Sequence, residues 1–124
     1  MRRAALTVDV DTLDSIYHGI GLRRPGGYTY AELRMGLHNL SRFLDRFGIR
    51  ATLFMVGNDF RVPANHDAIR AVMAEGHELA SHTTTHPQGF RLLSSVEKEA
   101  ELAGMEQLCE EVTGARPVGF RSPG

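Results

Sequence analysis

A continuous run of apolar residues, Ala51-Thr52-Leu53-Phe54-Met55-Val56, most constrains how this chain can fold. The run is short and ends at Gly57, as expected of a strand that is buried on both faces. Similar short runs alternate along the chain with longer segments of helical period. The predicted strands are 4–10, 51–56, 78–81 and 117–120, and the predicted helices are 30–47, 65–75 and 94–113. This order, with short connections, predicts an α/β fold with a parallel sheet and right-handed crossovers.

The helix limits are marked by polar caps and glycines. Ser94 and Glu97 have the spacing of a capping box, and Gly114 follows the last helical residue. Residues 12–29, rich in glycine, are predicted to form the only long irregular loop. That loop leaves the carboxyl end of the first strand, where α/β proteins place their ligand sites.

The composition indicates one globular domain. Of its 124 residues, 42% are hydrophobic and 23% charged, as is usual for a globular protein. The net charge of -1 gives no indication of binding to nucleic acid or to anionic lipid. No stretch reaches the roughly 20 apolar residues of a transmembrane helix. Cys109 is the single cysteine, which excludes an internal disulfide and favours a cytoplasmic location. Asp9 and Asp11 interrupt the first apolar run too early for a signal peptide.

Two aspartates mark the end of the first strand. Asp9 and Asp11 are two residues apart, so in a strand both point to the same face. Paired carboxylates beside a buried strand are costly unless a cation or proton neutralises them. A metal ion would let one carboxylate serve as a ligand while the other takes a proton from water. A solvated strand end or a capping aspartate is the alternative.

Two histidines follow the third predicted strand. His82 and His86 flank three threonines, and Pro87 argues against a regular helix there. Extended backbone would separate their Cα atoms by about 13 Å, so the segment must curl if both bind one ion. Neutral imidazoles suit zinc, cobalt or nickel, and a set of two histidines and one aspartate leaves a position open for water. Arg121 follows the fourth predicted strand in the same way and would orient a carboxylate, although a surface arginine is the simpler reading.

These clusters together resemble the NodB-like polysaccharide deacetylases, carbohydrate esterase family 4. The family's first motif is matched by Thr7-Val8-Asp9-Val10-Asp11, its second by His82-Thr83-Thr84-Thr85-His86 and its third by Arg121-Ser122-Pro123. The resemblance covers the whole chain in the family's order and spacing. It implies a metal-dependent hydrolase that removes N-acetyl groups from a polysaccharide, a peptidoglycan-like sugar or a lipid-linked sugar.

The resemblance also implies roles for individual residues. Asp9 would be the general base, and Arg121 would hold it. A divalent metal, with zinc expected and cobalt or nickel as alternatives, would be bound by Asp11, His82 and His86. Gly124 and Pro123 would contact the oxyanion and the substrate.

The family has two further motifs downstream of the third, including a histidine that acts as the general acid. The resemblance therefore implies that 1–124 is a single, N-terminal part of a NodB-homology domain. It would contain about four strands and three helices of a distorted (β/α) barrel. The open sheet would expose an edge through which the chain forms homo-oligomers. Two alternatives remain open: a related amide hydrolase, such as a sugar deformylase or an allantoinase-like enzyme, and a non-catalytic metal- or carbohydrate-binding fragment.

Overall fold

The computed structural model describes residues 4–124, which form a parallel three-stranded sheet with helices packed against it. The strands are β1 (Leu6–Val10), β2 (Ala51–Met55) and β3 (Glu78–Ser81), in the order β1-β2-β3. The helices are α1 (Leu13–Gly19), α2 (Ala31–Asp45), α3 (Gly57–Phe60), α4 (His66–Ala74) and α5 (Ser95–Thr113), with 3₁₀ turns at Pro63–Asn65 and Phe90–Leu92. The predicted α/β class and parallel pairing are confirmed.

The central strand is as buried as its sequence predicts. Leu53 and Met55 of β2 have almost no solvent exposure. The helices that surround them bring the apolar side chains of their own periodic faces: Leu33, Leu37 and Leu44 from α2, Ile69 and Val72 from α4, and Met105, Cys109 and Val112 from α5. Phe43 and Phe47 do not join this core, although the spacing places both on the apolar face of the predicted helix 30–47; both are more than half exposed.

The longest helix begins and ends as predicted. The Ser94 hydroxyl accepts a hydrogen bond from the Glu97 amide at 3.3 Å, and the Glu97 carboxylate accepts one from the Ser94 amide at 2.8 Å. Gly114 closes α5 with a positive φ of 76°. Such reciprocal capping satisfies amides that the first helical turn leaves free.

The prediction that residues 12–29 form an irregular loop is wrong for the first part of this range, because α1 forms there. Thr12 caps this helix, and its hydroxyl accepts a hydrogen bond from the Ser15 amide at 3.2 Å. The helix is only seven residues long, too short to display a helical period. Its stability therefore comes from the cap and from the pairing of buried Asp14 with Arg24 rather than from an apolar stripe.

The predicted fourth strand is reduced to one bridge, between Ser81 and Phe120. The backbone still follows β3 in parallel: the Val118 amide donates to the Leu79 carbonyl at 2.9 Å, and the Ser81 amide donates to the Gly119 carbonyl at 2.7 Å. Pro117, at the start of the segment, has no amide to donate and shortens the pairing. The segment nevertheless delivers the residues after it to the same edge of the sheet as β3.

Within residues 4–124, no helix combines the length and apolar character needed to cross a membrane.

Candidate metal site and active site

The carboxyl ends of β1 and β3 bring one aspartate and two histidines together. Asp11 directly follows β1, and His82 directly follows β3. The Asp11 Oδ1 atom lies 3.5 Å from His82 Nε2 and 3.3 Å from His86 Nε2. One ligand atom from each residue falls within 4.8 Å of the others. The three residues predicted to bind the metal therefore form one cluster.

The loop between the histidines curls, as the sequence requires. Thr83 and His86 have positive φ angles of 70° and 57°, which turn the backbone back on itself. The Thr83 hydroxyl holds this turn by accepting from the His86 amide at 3.1 Å and donating to the His82 carbonyl at 2.5 Å. Both imidazoles are consequently buried, with 3% and 4% of their surface exposed.

A backbone carbonyl sets the orientation of His82. Its Nδ1 atom lies 2.8 Å from the carbonyl oxygen of Arg121. Because a carbonyl can only accept, Nδ1 must carry the proton, and in the neutral ring the Nε2 lone pair then faces Asp11. This arrangement, in which the distal nitrogen donates to a carbonyl, is usual for metal-binding histidines.

Asp11 is in the charge state that a cation needs. A hydrogen bond from His86 lowers the pKa of this carboxyl below its ordinary value, and positive charge on His86 and His82, when their rings are protonated, acts in the same direction. Desolvation opposes them and raises the pKa, but the net shift is downward. An ionised carboxylate beside two imidazoles fits zinc, cobalt or nickel and leaves coordination positions for water and substrate.

The second carboxylate, Asp9, pairs with Arg121. One guanidinium nitrogen forms an ion pair with Asp9 Oδ1, and the other donates to the Thr7 hydroxyl at 2.9 Å. The guanidinium carbon also lies 4.1 Å from the centre of the Phe54 ring. Asp9 is thus held in a fixed orientation while 38% of its side chain stays exposed to solvent.

The last two residues lie beside the histidine loop. Pro123 is buried and Gly124 is exposed. A Cβ atom at Gly124 would lie 3.3 Å from the Gln88 side-chain oxygen, two residues after His86. The chain end is therefore close to the cluster, as the predicted roles of these residues require.

Two acidic residues near the site were missed by the sequence analysis. Asp59, in α3, is fully buried, with its carboxylate oxygens 3.4 Å from the hydroxyls of Thr12 and Ser15. Glu101, in α5, accepts hydrogen bonds from the histidine loop. For Asp59 a signal existed, because it lies just beyond the predicted strand 51–56, at the same edge as Asp11 and His82. Glu101 offers no such signal, since a glutamate on a helix is usually a solvated side chain.

Comparison with known proteins agrees with this geometry. Residues 28–124 match the family "Polysaccharide deacetylase"; this range holds both histidines and Arg121, while Asp9 and Asp11 precede it. The chain is 33% identical over 78 residues to a chitin deacetylase of Colletotrichum lindemuthianum, covering 60% of this chain and 31% of that protein. It is also 33% identical over 93 residues to a peptidoglycan deacetylase-like protein of Gibberella zeae, covering 73% of this chain and 26% of that protein.

The fold comparison extends over nearly the whole chain. The solved structure of the chitin deacetylase from Colletotrichum lindemuthianum superposes with a TM-score of 0.69 at 28% identity, covering 96% of this chain and 44% of that one. The chain thus spans less than half the length of these relatives. With the family match extending over most of its length, the chain belongs to the polysaccharide deacetylase family.

Proposed function

We propose that this chain carries the metal-binding half of an enzyme that hydrolyses the acetamide group of an N-acetylated sugar. The observation that carries this proposal is the cluster of Asp11, His82 and His86, whose ligand atoms lie within 4.8 Å of one another. The similarity to a chitin deacetylase supports a sugar amide as the substrate. Residues 1–124 would then be one domain, or the first part of one.

The donor set favours zinc, with cobalt and nickel as alternatives. Two neutral imidazoles and one carboxylate are usual ligands of all three ions. Bound by Asp11, His82 and His86, such an ion would polarise an amide carbonyl and make water more acidic.

Asp9 is the base in this proposal. The ion pair with Arg121 orients the Asp9 carboxylate, and the partial exposure of Asp9 lets a water molecule reach it. Asp9 takes a proton as the water oxygen bonds to the acetamide carbon. The carbon–nitrogen bond then breaks as the proton held by Asp9 passes to the nitrogen, and the products are the sugar amine and acetic acid, which ionises to acetate in solution. The Gly124 amide would stabilise negative charge on the carbonyl oxygen, with Pro123 shaping the substrate side.

The metal proposal is tested by titrating Zn²⁺ into the chelator-stripped full chain by calorimetry. We expect one site in the wild type that His82→Ala removes. His38→Ala, which changes an exposed histidine of α2, is the matched control and should bind as the wild type does. An affinity that His82→Ala leaves unchanged would refute the proposed ligand set.

Catalysis is tested separately by acetate release from an N-acetylated chitooligosaccharide. Asp9→Asn should bind Zn²⁺ normally but release acetate at least about 100-fold more slowly, because it lacks the base. Zinc binding without acetate release by the wild type would favour the alternative, a non-catalytic binding fragment.

Two further expectations are proposals of the same kind. The outer edge of β1 pairs with no other strand among residues 4–124, so we propose that a second copy of the chain covers it. Light scattering that shows a monomer at high concentration would contradict this. The free, buried thiol of Cys109 supports a cytoplasmic location, which cell fractionation tests.

A further inference from the structure

The loop that carries His82 and His86 is fastened to α5 by one carboxylate. Glu101 Oε2 accepts hydrogen bonds from the backbone amides of Thr84 at 2.9 Å and Thr85 at 2.8 Å. Its other oxygen accepts from the Thr85 hydroxyl at 2.7 Å. The Glu101 backbone carbonyl accepts from the Thr84 hydroxyl at 2.7 Å. Hydrogen bonds to a carboxylate are among the stronger ones, and here both oxygens are used.

The opposite side of the loop is held by the start of α3. The amides of Gly57 and Asn58 donate to the carbonyls of Thr83 and Thr84 at 2.9 and 2.8 Å. Thr84 fits tightly between the two helices, because a Cβ atom at Gly57 would lie 2.8 Å from Thr84 Cα and one at Gly104 would lie 2.6 Å from its hydroxyl. The loop therefore has hydrogen-bond partners on both sides. Among the groups in these hydrogen bonds, the Glu101 carboxylate is the only charged one.

The loop needs such partners because its backbone is strained. Thr83 and His86 both occupy the left-handed region, which side chains with a Cβ adopt only when the surroundings enforce it. Glu101 holds the two amides that lie between these strained residues. Without it, these two amides would lose their acceptor, and the backbone that turns His86 toward Asp11 would be held less firmly.

We propose that Glu101 is a positioning residue for the metal site. It binds no metal itself, since both of its oxygens are taken by loop donors, and it acts by fixing His86 against Asp11 and His82. This inference rests on the proposed function, because it assumes that those three residues bind an ion. Residues that orient metal ligands from behind commonly change metal affinity by about 10- to 100-fold when they are replaced.

The test is Co²⁺ binding to the chelator-stripped full chain, followed by its visible d–d absorption. Glu101→Ala is expected to weaken Co²⁺ binding by about 10- to 100-fold and to change the absorption envelope. Glu101→Gln should recover most of the affinity. Its amide oxygen can accept from the amides of Thr84 and Thr85, and its nitrogen can donate to the Thr85 hydroxyl.

Two control variants separate positioning from general stability. Val112→Ala removes a buried core side chain of α5 and should lower the melting temperature without weakening Co²⁺ binding. Glu99→Ala removes an exposed glutamate of the same helix and should change neither. If Glu101→Ala fails to fold, Thr85→Val supplies the test, because it deletes only the hydroxyl bond to Glu101 and should weaken binding by a few-fold.

The possible failures are distinguishable. The positioning role would be overturned if Glu101→Ala bound Co²⁺ within about two-fold of the wild-type affinity. It would also be overturned if the loss of affinity equalled that in Val112→Ala. Either result would leave the proposed function intact. A wild type that binds no Co²⁺ would overturn both.

Discussion

Replacing Asp59 by asparagine should make the chain more stable at pH 8 and leave its stability at pH 4 nearly unchanged. Asp59 is fully buried in α3. Burial raises the pKa of its carboxyl from 3.8 to about 7, against the hydrogen bonds of Ser15 and Thr12, which lower it. The charges of Asp14 and Asp11 add to the rise.

The size of the effect follows from the difference between the two pKa values. Well below pH 3.8 the carboxyl is protonated in both the folded and the unfolded chain, so it contributes no pH dependence there. Between about pH 4 and 7 only the unfolded chain releases the proton, and the free energy of unfolding falls as the pH rises. At about 1.4 kcal/mol for each pKa unit, the loss approaches ~4 kcal/mol above pH 7. Asparagine has a similar shape but cannot ionise, so Asp59→Asn should escape this loss.

The assay is urea denaturation of the wild type and Asp59→Asn at several pH values from 4 to 8.5. EDTA is present throughout, because a cation bound at Asp11 would itself favour the ionised form of Asp59. We expect the difference in unfolding free energy to be near zero at pH 4 and to reach about 2–4 kcal/mol in favour of the variant at pH 8. Asp67→Asn, which changes a fully exposed carboxylate on α4, should show no comparable trend. A difference that is flat with pH, or that favours the wild type at pH 8, would refute the argument that burial holds Asp59 protonated.

Two smaller predictions concern the walls of the site. Gly104→Ala should lower both the melting temperature and the zinc affinity, because its Cβ atom would lie 2.6 Å from the Thr84 hydroxyl. By contrast, a Cβ atom at Gly36 would meet no atom of residues 4–124 within 4 Å, apart from its chain neighbours and the backbone of its own helix. Gly36→Ala should therefore raise stability by about 0.5–1 kcal/mol. Equal effects of the two changes on melting and on zinc titration would contradict the close fit. Arg121→Lys should slow acetate release about 10-fold or more while leaving zinc affinity unchanged, since one ammonium cannot orient Asp9 as a planar guanidinium does; normal turnover would remove Arg121 from the proposed mechanism.

The sequence predicts most of the fold because the main elements carry long or strongly periodic signals. The buried run at 51–55 and the capped helix Ser95–Thr113 lie where the pattern places them. Elements that depend on tertiary contacts are less visible. The short helix Leu13–Gly19 has no apolar period of its own, and the pairing at Phe120 stops after a single bridge.

The same division applies to the candidate site. Residues that follow predicted strands, such as Asp11, His82 and Arg121, lie close together because parallel strands end at a common edge of the sheet. How the loop between the histidines curls was not predictable, since it depends on two strained backbone positions and on Glu101, a residue 17 positions beyond Thr84. Sequence spacing identifies the chemical groups, but contacts between distant segments decide their geometry.

The acidic residues at this edge of the sheet are themselves an argument for a cation. Asp11 follows β1 directly, while Asp14 and Asp59 are completely buried nearby. Asp14 is compensated by Arg24, at 2.6 Å, and by the Tyr30 amide, at 2.5 Å. Among residues 4–124, the Asp59 carboxylate has only hydroxyl partners, and the charges of both other aspartates raise its pKa. A fold that served stability alone would gain by replacing Asp59 with a neutral residue. A positive ion bound by Asp11 would instead relieve the repulsion, so the proposed metal would lower the free-energy cost of these buried carboxylates.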